Sequence, residues 1–249
     1  MKQADNIKVW QQGNTYCLYD SNAIIEFSPE MLNPQYWQAK HAVTGSAQGR
    51  GTTWFVCYVS STKPEQHWVL RHYYRGGLIG EMVKDSYWFS SQKNTRAARE
   101  FDLLAYMQGL KLPAPKPIAY KVVKHGLFYQ ADLLSIRIEQ AQDLVAILSK
   151  KEIPPVLWQK IGATIRRFHN NNIYHHDLNA HNILINEQEQ VFLIDFDRGE
   201  IRDASQKNWQ QGNMERLQRS FNKELNQLDN FHFTDDNWQF LLEGYLGAI

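Results

Sequence analysis

The sequence predicts an α+β protein, β-rich in its first half and mainly helical in its second. Up to about residue 138, short apolar runs alternate with turns that carry glycine or proline. Beyond it, apolar residues recur at helical spacing, first as Leu157, Ile161, Ile165 and Phe168 and again from about Asn208 onward. Between those helical stretches, Asp177, Asn182 and Asp195 punctuate short apolar runs. The length suits one large domain or two modest lobes, the latter over residues 1–138 and 139–249.

Hydrophobic residues make up 43% of the 249 and charged residues 21%, ample for a packed core and unlike a disordered chain. A formal net charge of +1 excludes a polycation, so any attraction to acidic partners is local. No long basic stripe or recognised module accompanies the cations, and nucleic acid is not an expected partner. Cys17 and Cys57 make neither a disulfide framework nor a zinc site and read as free thiols in a reducing compartment. The first six residues are polar with no apolar segment behind them, and no apolar stretch is long enough for a bilayer. The expectation is a soluble or peripheral protein acting from the cytoplasmic side, with no obligate protein partner evident.

In chain order, residues 7–27 read as short strands around a Gly13-Asn14 turn, with Ala23 to Phe27 a further apolar piece, and 35–41 as a short helix. Gly45, Gly49 and Gly51 precede a β-rich run to Val59. Glycine allows positive φ and close approach of backbone to phosphate, although an ordinary glycine hairpin has the same look. Residues 67–77 read as a strand entering a basic turn, with Arg71 the best-placed cation for a phosphate; a solvated strand-end arginine is the alternative. Residues 94–109 form a helix with Asn94 as cap, Gly109 as terminator and Ala97, Ala98, Phe101, Leu104 and Ala105 on one face. Glu100 on that helix either pairs with the phosphate-binding cation or is neutralised by Arg96 and Arg99.

Pro113, Pro115 and Pro117 make a stiff connector into strands over 118–123 and 126–138. Residues 139–142 read as a hinge whose backbone can read adenine, and Asp143 as the cap of a short helix to Leu148. A strong helix ends at Asn170, and His169 within it reads as structural. The last two helices, with Met214, Leu217, Phe221, Leu225 and Leu228 on the first and Phe240 to Leu246 on the second, read as core packing.

The spacing of Asp177, Asn182 and Asp195 is that of a phosphoryl-transfer loop and its metal-binding strand. Asp177 is placed to accept a proton from an attacking hydroxyl, and Asn182 and Asp195 to hold Mg²⁺ on a nucleotide's phosphates. Gly49 and Gly51 would cover those phosphates, while Arg71, positioned by Glu100, supplies a fixed cation.

The order of pieces resembles the protein-kinase-like bilobal fold, with an antiparallel-sheet N-lobe and a mainly helical C-lobe. Four stretches more narrowly resemble the 3-deoxy-D-manno-octulosonic acid (Kdo) kinases and the lipopolysaccharide-core heptose kinases: residues 49–54, 69–77, 176–184 and 195–199. That resemblance implies ATP-dependent phosphorylation of the 4-hydroxyl of Kdo on a lipid A precursor, at the cytoplasmic face of an anionic inner membrane. Departures from ordinary protein kinases are Trp54 for the third loop glycine, Arg71 for lysine, His176 for the arginine before the catalytic aspartate, and Asp197 for the glycine of the metal motif. Asp197 either assists the metal or holds Arg198. The segment after Asp195 is short, with no Ala-Pro-Glu, which favours a small or lipid-linked hydroxyl over a peptide. Rival readings are a heptose, aminoglycoside or choline-type kinase and a catalytically silent nucleotide-binding scaffold.

Arg71, His72, Arg75, Lys84, Lys93, Arg96 and Arg99 crowd the first half, either as a surface for acidic substrate and headgroups or as a solvated face balanced by Glu81, Asp85 and Glu100. Trp37, Tyr73, Tyr74, Trp88 and Phe89 divide between core packing and a membrane interface.

Overall fold

A computed structural model describes residues 6–49, 51–74, 85–203, 205 and 208–247. The chain divides into two compact units, Met1–Ala105 with Pro115–Arg137, and Tyr106–Ala114 with Ile138–Ile249. Arg50, Arg75, Gly76, Gly77, Glu81 and Lys84 lie outside the described residues.

The first unit is built on one antiparallel sheet. Its strands are β1 (Ile7–Gln12), β2 (Thr15–Asp20), β3 (Val43–Gln48), β4 (Thr52–Ser60), β5 (Lys63–His72), β6 (Tyr87–Trp88), β7 (Pro117–His125) and β8 (Phe128–Ile136). Their spatial order is β1-β2-β7-β8-β5-β4-β3, with β6 on β8. The two-residue period of a strand sends Val56 and Tyr58 of β4, and Trp68 and Leu70 of β5, to one buried face. There Tyr58 stacks on Trp68 at 4.2 Å, and Trp68 meets the edge of Trp37 at 5.9 Å. Trp37 comes from α1 (Pro34–Ala39) and satisfies its indole N–H on the Met31 carbonyl at 2.8 Å.

Three local expectations change. Ala23 to Phe27 is not strand: the Asp20 carbonyl accepts from the Ala23 and Ile24 N–H groups, both at 3.0 Å, and the resulting turn drops Ile24 into the core. The helix expected to reach residue 41 stops at Ala39, and His41 takes a left-handed φ of 53°. α2 (Arg96–Gly109) is capped by Thr95, whose hydroxyl accepts from the Ala98 N–H at 3.4 Å; Asn94 closes a preceding 3₁₀ turn, and Ala105 faces solvent while Leu103 is buried.

A polar ladder crosses the middle of this sheet. His72 on β5 lies opposite Asp132 on β8, and Asp132 opposite Lys121 on β7. His72 Nδ1 is 2.8 Å from Asp132 Oδ1, and Lys121 Nζ is 3.1 Å from Oδ2. Lys121 also donates to the Leu32 carbonyl at 2.8 Å and to the Asn33 side chain. Charges taken this far from water persist only when paired in this way.

The second unit holds β9 (Ala141–Asp143), α3 (Leu144–Leu148), α4 (Pro155–Asn170), β10 (Ile173–Tyr174), β11 (Ile183–Asn186), β12 (Val191–Leu193), β13 (Glu200–Ile201), α5 (Asn208–Gln227) and α6 (Asp235–Leu246). The stretch read as a hinge therefore enters a strand: β9 pairs with β11, and Asp143 ends it while capping α3 through the Ala146 N–H. α6 starts from a Thr234–Asn237 capping box. α4 and α6 pack backbone to backbone at glycine: a Cβ on Gly162 would lie 1.9 Å from the Leu241 carbonyl oxygen, and one on Gly244 2.0 Å from that of Gln159. Phe221 of α5 is fully buried, stacked on Phe233 at 4.6 Å. Leu225 and Leu246, expected in the core, are 45% and 75% exposed; the buried positions of α5 include Trp209, Asn213, Met214, Leu217, Phe221 and Glu224. His169 is buried and bonded to the Tyr245 hydroxyl at 2.7 Å, and burial pushes its pKa down to about 4, as suits a structural histidine. No helix among the described residues is long and apolar enough to cross a membrane.

The ladder makes a pH-dependent prediction. Burial alone would lower the His72 pKa, but Asp132 and Asp85 outweigh it and raise the value above 6.5. A pKa raised by folding means stability that is present in full below the unfolded value and fades as pH rises through the folded one. His72→Ala should therefore lower the urea midpoint more at pH 5.5 than at pH 9; an equal loss at both would contradict a protonated His72.

Candidate active site

In the first unit, the turn between β3 and β4 carries Gly49 and Gly51, with the Gly49 N–H donating to the Gly51 carbonyl at 3.0 Å. Gly49 does not take positive φ. Space is tight at Gly51: a Cβ there would lie 1.9 Å from the Tyr74 ring. Trp54, in place of a third glycine, packs half-buried against the core of the unit.

Arg71 and Glu100 come together. Arg71 Nη2 donates to both Glu100 carboxylate oxygens, at 2.5 and 2.6 Å, and the Tyr73 hydroxyl donates to Oε2 at 2.7 Å. The Glu100 side chain is only 3% exposed and Arg71 24%. Glu100 is thus not a surface glutamate, nor Arg71 a solvated strand end. Burial and the Glu100 carboxylate hold the Tyr73 phenol well above its ordinary pKa, which keeps it a donor. Arg96 donates to the Tyr87 hydroxyl at 2.6 Å, Arg99 to Asn94 at 3.3 Å, and His72 belongs to the ladder. The described cations of this half are largely engaged within the unit.

In the second unit, the loop after β10 is held by His175. Its Nε2 donates to the Ile194 carbonyl at 2.9 Å, and its Nδ1 accepts from the Asp177 N–H at 3.2 Å. Only the neutral Nε2–H tautomer does both. Burial pushes the His175 pKa down, with the Ile194 carbonyl pulling the other way, so the imidazole stays neutral. Its ring packs on Phe196 at 4.7 Å, and Phe196 on Phe168 at 5.6 Å. One histidine thus sets the start of the Asp177 loop against the residue before Asp195.

Asn179 folds the loop over: its Oδ1 accepts from the His181 and Asn182 N–H groups at 2.9 and 3.2 Å, and its Nδ2 donates to the Asp177 carbonyl at 3.1 Å. Asn182 Nδ2 donates to the same carbonyl at 2.9 Å. That bond fixes the amide, leaving Oδ1 as a hard oxygen ligand. The Ile194 N–H meets the Asn182 carbonyl at 3.0 Å, so Asp195 follows one residue beyond a cross-strand contact with Asn182. Asp195 itself sits at φ 62°. An amide oxygen and a carboxylate so placed suit Mg²⁺, which takes oxygen ligands. Asp197 is partly buried and is not without a partner.

Sequence reasoning missed the grip of α5 on this loop. Asn213 accepts from the His175 N–H at 3.3 Å and donates to its carbonyl at 2.9 Å. Arg216 Nη1 stands 3.3 Å from Asp177 Oδ1. Ser220 accepts from the Ala180 N–H at 2.8 Å, and Glu224 lies 3.5 Å from His181. The signal was present: these four polar residues recur at helical spacing beside the apolar stripe.

Two losses should be measurable. Glu100→Ala removes the acceptor shared by Arg71 and Tyr73 and should cost about 3 kcal/mol in chemical denaturation, as for other broken buried pairs. Asn213→Ala, which strips two backbone groups of partners, should cost about 2 kcal/mol; a loss under about 0.5 kcal/mol in either would contradict these contacts.

The sequence model of the "Lipopolysaccharide kinase (Kdo/WaaP) family" matches residues 34–245. The chain is 46% identical over 239 residues to a 3-deoxy-D-manno-octulosonic acid kinase of Vibrio vulnificus (strain YJ016), covering 96% of this chain and 98% of the relative. It is 45% identical over 218 residues to a protein of the same name from Vibrio cholerae, covering 88% and 86%. A Haemophilus influenzae (strain PittEE) protein of that name is 42% identical over 246 residues, covering 95% and 98%.

Proposed function

The chain belongs to the lipopolysaccharide kinase (Kdo/WaaP) family, and on that premise we propose that it phosphorylates the 4-hydroxyl of Kdo on a lipid A precursor, with ATP as donor. The observation that carries the reading is the Asp177 loop, with its backbone fixed by His175 and Asn213 and its carboxylate half-exposed. Full-length similarity to proteins named for Kdo supports the acceptor.

In this reading the Asp177 carboxylate orients the sugar hydroxyl and takes its proton as the oxygen attacks the terminal phosphorus of ATP. Asn182 Oδ1 and the Asp195 carboxylate hold Mg²⁺, which when bound offsets charge on the phosphates. In the first unit, Arg71, locked by Glu100, would serve phosphate oxygens as a fixed cation, with Gly49 and Gly51 as the loop glycines. Rigid placement matters because phosphoryl transfer asks little of the protein beyond position and charge.

The acceptor is lipid-linked, so the protein works as a peripheral enzyme on the cytoplasmic face of the inner membrane. Trp88, Leu127 and Phe128 support this: they are 61%, 61% and 43% exposed, with Trp88 and Phe128 in edge contact at 5.7 Å. Lys124 and His125 flank them on the same hairpin and are exposed. An apolar tip with a lysine beside it suits an anionic bilayer. By contrast Trp37 and Tyr73 belong to the core.

With labelled ATP, the protein should transfer phosphate to Kdo-lipid A precursor and not to aminoglycosides or choline. Asp177→Ala should lower turnover by about 10²–10⁴ while MgATP still binds; near-wild-type turnover would remove Asp177 as base. Replacing Trp88, Leu127 and Phe128 together by serine should weaken flotation with anionic vesicles and spare transfer to a detergent-dispersed acceptor. Unchanged flotation would discard the tip as the membrane contact.

A further inference from the structure

The surroundings of Asp177 hold more positive charge than proton transfer needs. Arg216 reaches Asp177 from α5 and is itself 45% exposed. Arg202 is nearby but engaged: its Nε donates to Glu200 at 2.7 Å, and its guanidinium lies 3.3 Å from the Tyr174 ring centroid. Arg198 is different. It is exposed and pairs with no carboxylate among the described residues.

Its backbone is also unusual. The Gly199 N–H donates to the Phe196 carbonyl at 2.7 Å, closing a turn over residues 196–199. Arg198 is the third residue of that turn, with φ 60°. Turns with positive φ at this position take glycine or asparagine, because a Cβ is disfavoured there. Gly199 stands next door, so the chain places arginine on the strained position and glycine beside it. Strain kept at a site, with a solvent-facing cation as its result, points to a ligand for that cation.

We propose that Arg198 and Arg216 form an oxyanion subsite beside Asp177 that takes the carboxylate of the acidic sugar acceptor. The inference rests on the Kdo-kinase reading and deepens it. In Kdo the carboxylate and the 4-hydroxyl are on the same ring, a few bonds apart, so a hydroxyl at Asp177 carries its carboxylate close by. Guanidinium groups meet a carboxylate in a planar, directional pair, which fixes which hydroxyl faces the base. His176, in the same field, is held toward its neutral form by burial and by the charge of Arg198, Arg216 and Arg202, so it adds no competing cation.

The test compares Kdo-lipid A precursor with its carboxamide analogue, using wild type, Arg198→Gln, Arg198→Gly and Arg216→Gln. With the acid, each variant should raise the acceptor KM roughly tenfold or more, as for a lost charged hydrogen bond, with the KM for ATP unchanged. With the carboxamide, variants and wild type should converge. Arg198→Gly should also melt no lower than wild type, since it relieves the left-handed strain; a merely structural arginine would lower the melting temperature. A raised KM for ATP, equal losses on both acceptors, or a fall in kcat alone would overturn the subsite. Wild type inert toward the acid would instead reject the Kdo-kinase reading, and the subsite with it.

Discussion

The His175 imidazole accepts from the Asp177 N–H and donates to the Ile194 carbonyl, and the second unit depends on its doing both. A protonated ring has no lone pair for Asp177; a ring in the other tautomer has no proton for Ile194. Burial enforces neutrality, and the aromatic stack of Phe196 and Phe168 supplies that burial. Asn213 then fixes the histidine's own backbone from both sides. Loop, strand end and helix are coupled through one side chain, so the positions of Asp177, Asn182 and Asp195 are not independent.

The first unit meets the same constraint with charge. Glu100 is buried and therefore needs partners, which Arg71 and Tyr73 provide. Lys121, Asp132 and His72 repeat the arrangement three strands wide. Such pairs add little net stability over apolar packing, but removing one member is costly, which holds the others in a single geometry. For a reaction governed by position, that rigidity matters more than the stability. The places where local rules fail are informative by contrast: Asp195 and Arg198 both adopt left-handed backbone without being glycine, and both follow β12 beside the Asp177 loop.

Much of this was legible in the sequence. Helical periodicity located α4 through Leu157, Ile161, Ile165 and Phe168, all buried, and the polar–apolar spacing singled out Asp177, Asn182 and Asp195. The Arg71–Glu100 pair was foreseen as one of two choices, because sequence gives each residue's strand or helix but not what lies across from it. What escaped were contacts made between elements. The polar edge of α5 was overlooked beside its apolar stripe, so Asn213, Arg216, Ser220 and Glu224 were not singled out. Leu225 was drawn into that stripe although it faces solvent, for a helix face is narrower than a list of its leucines. The tight space at Gly51 was not legible either, because the Tyr74 ring beside it comes from the segment after β5.

The central claim is that this chain adds phosphate to Kdo in the cell. The most direct measurement is mass spectrometry of lipid A–core from cells lacking the gene, with and without complementation. The account predicts loss of one phosphate from the Kdo region, restored by the wild-type gene and not by Asp177→Ala. An unchanged phosphate count in the deletion strain would contradict it.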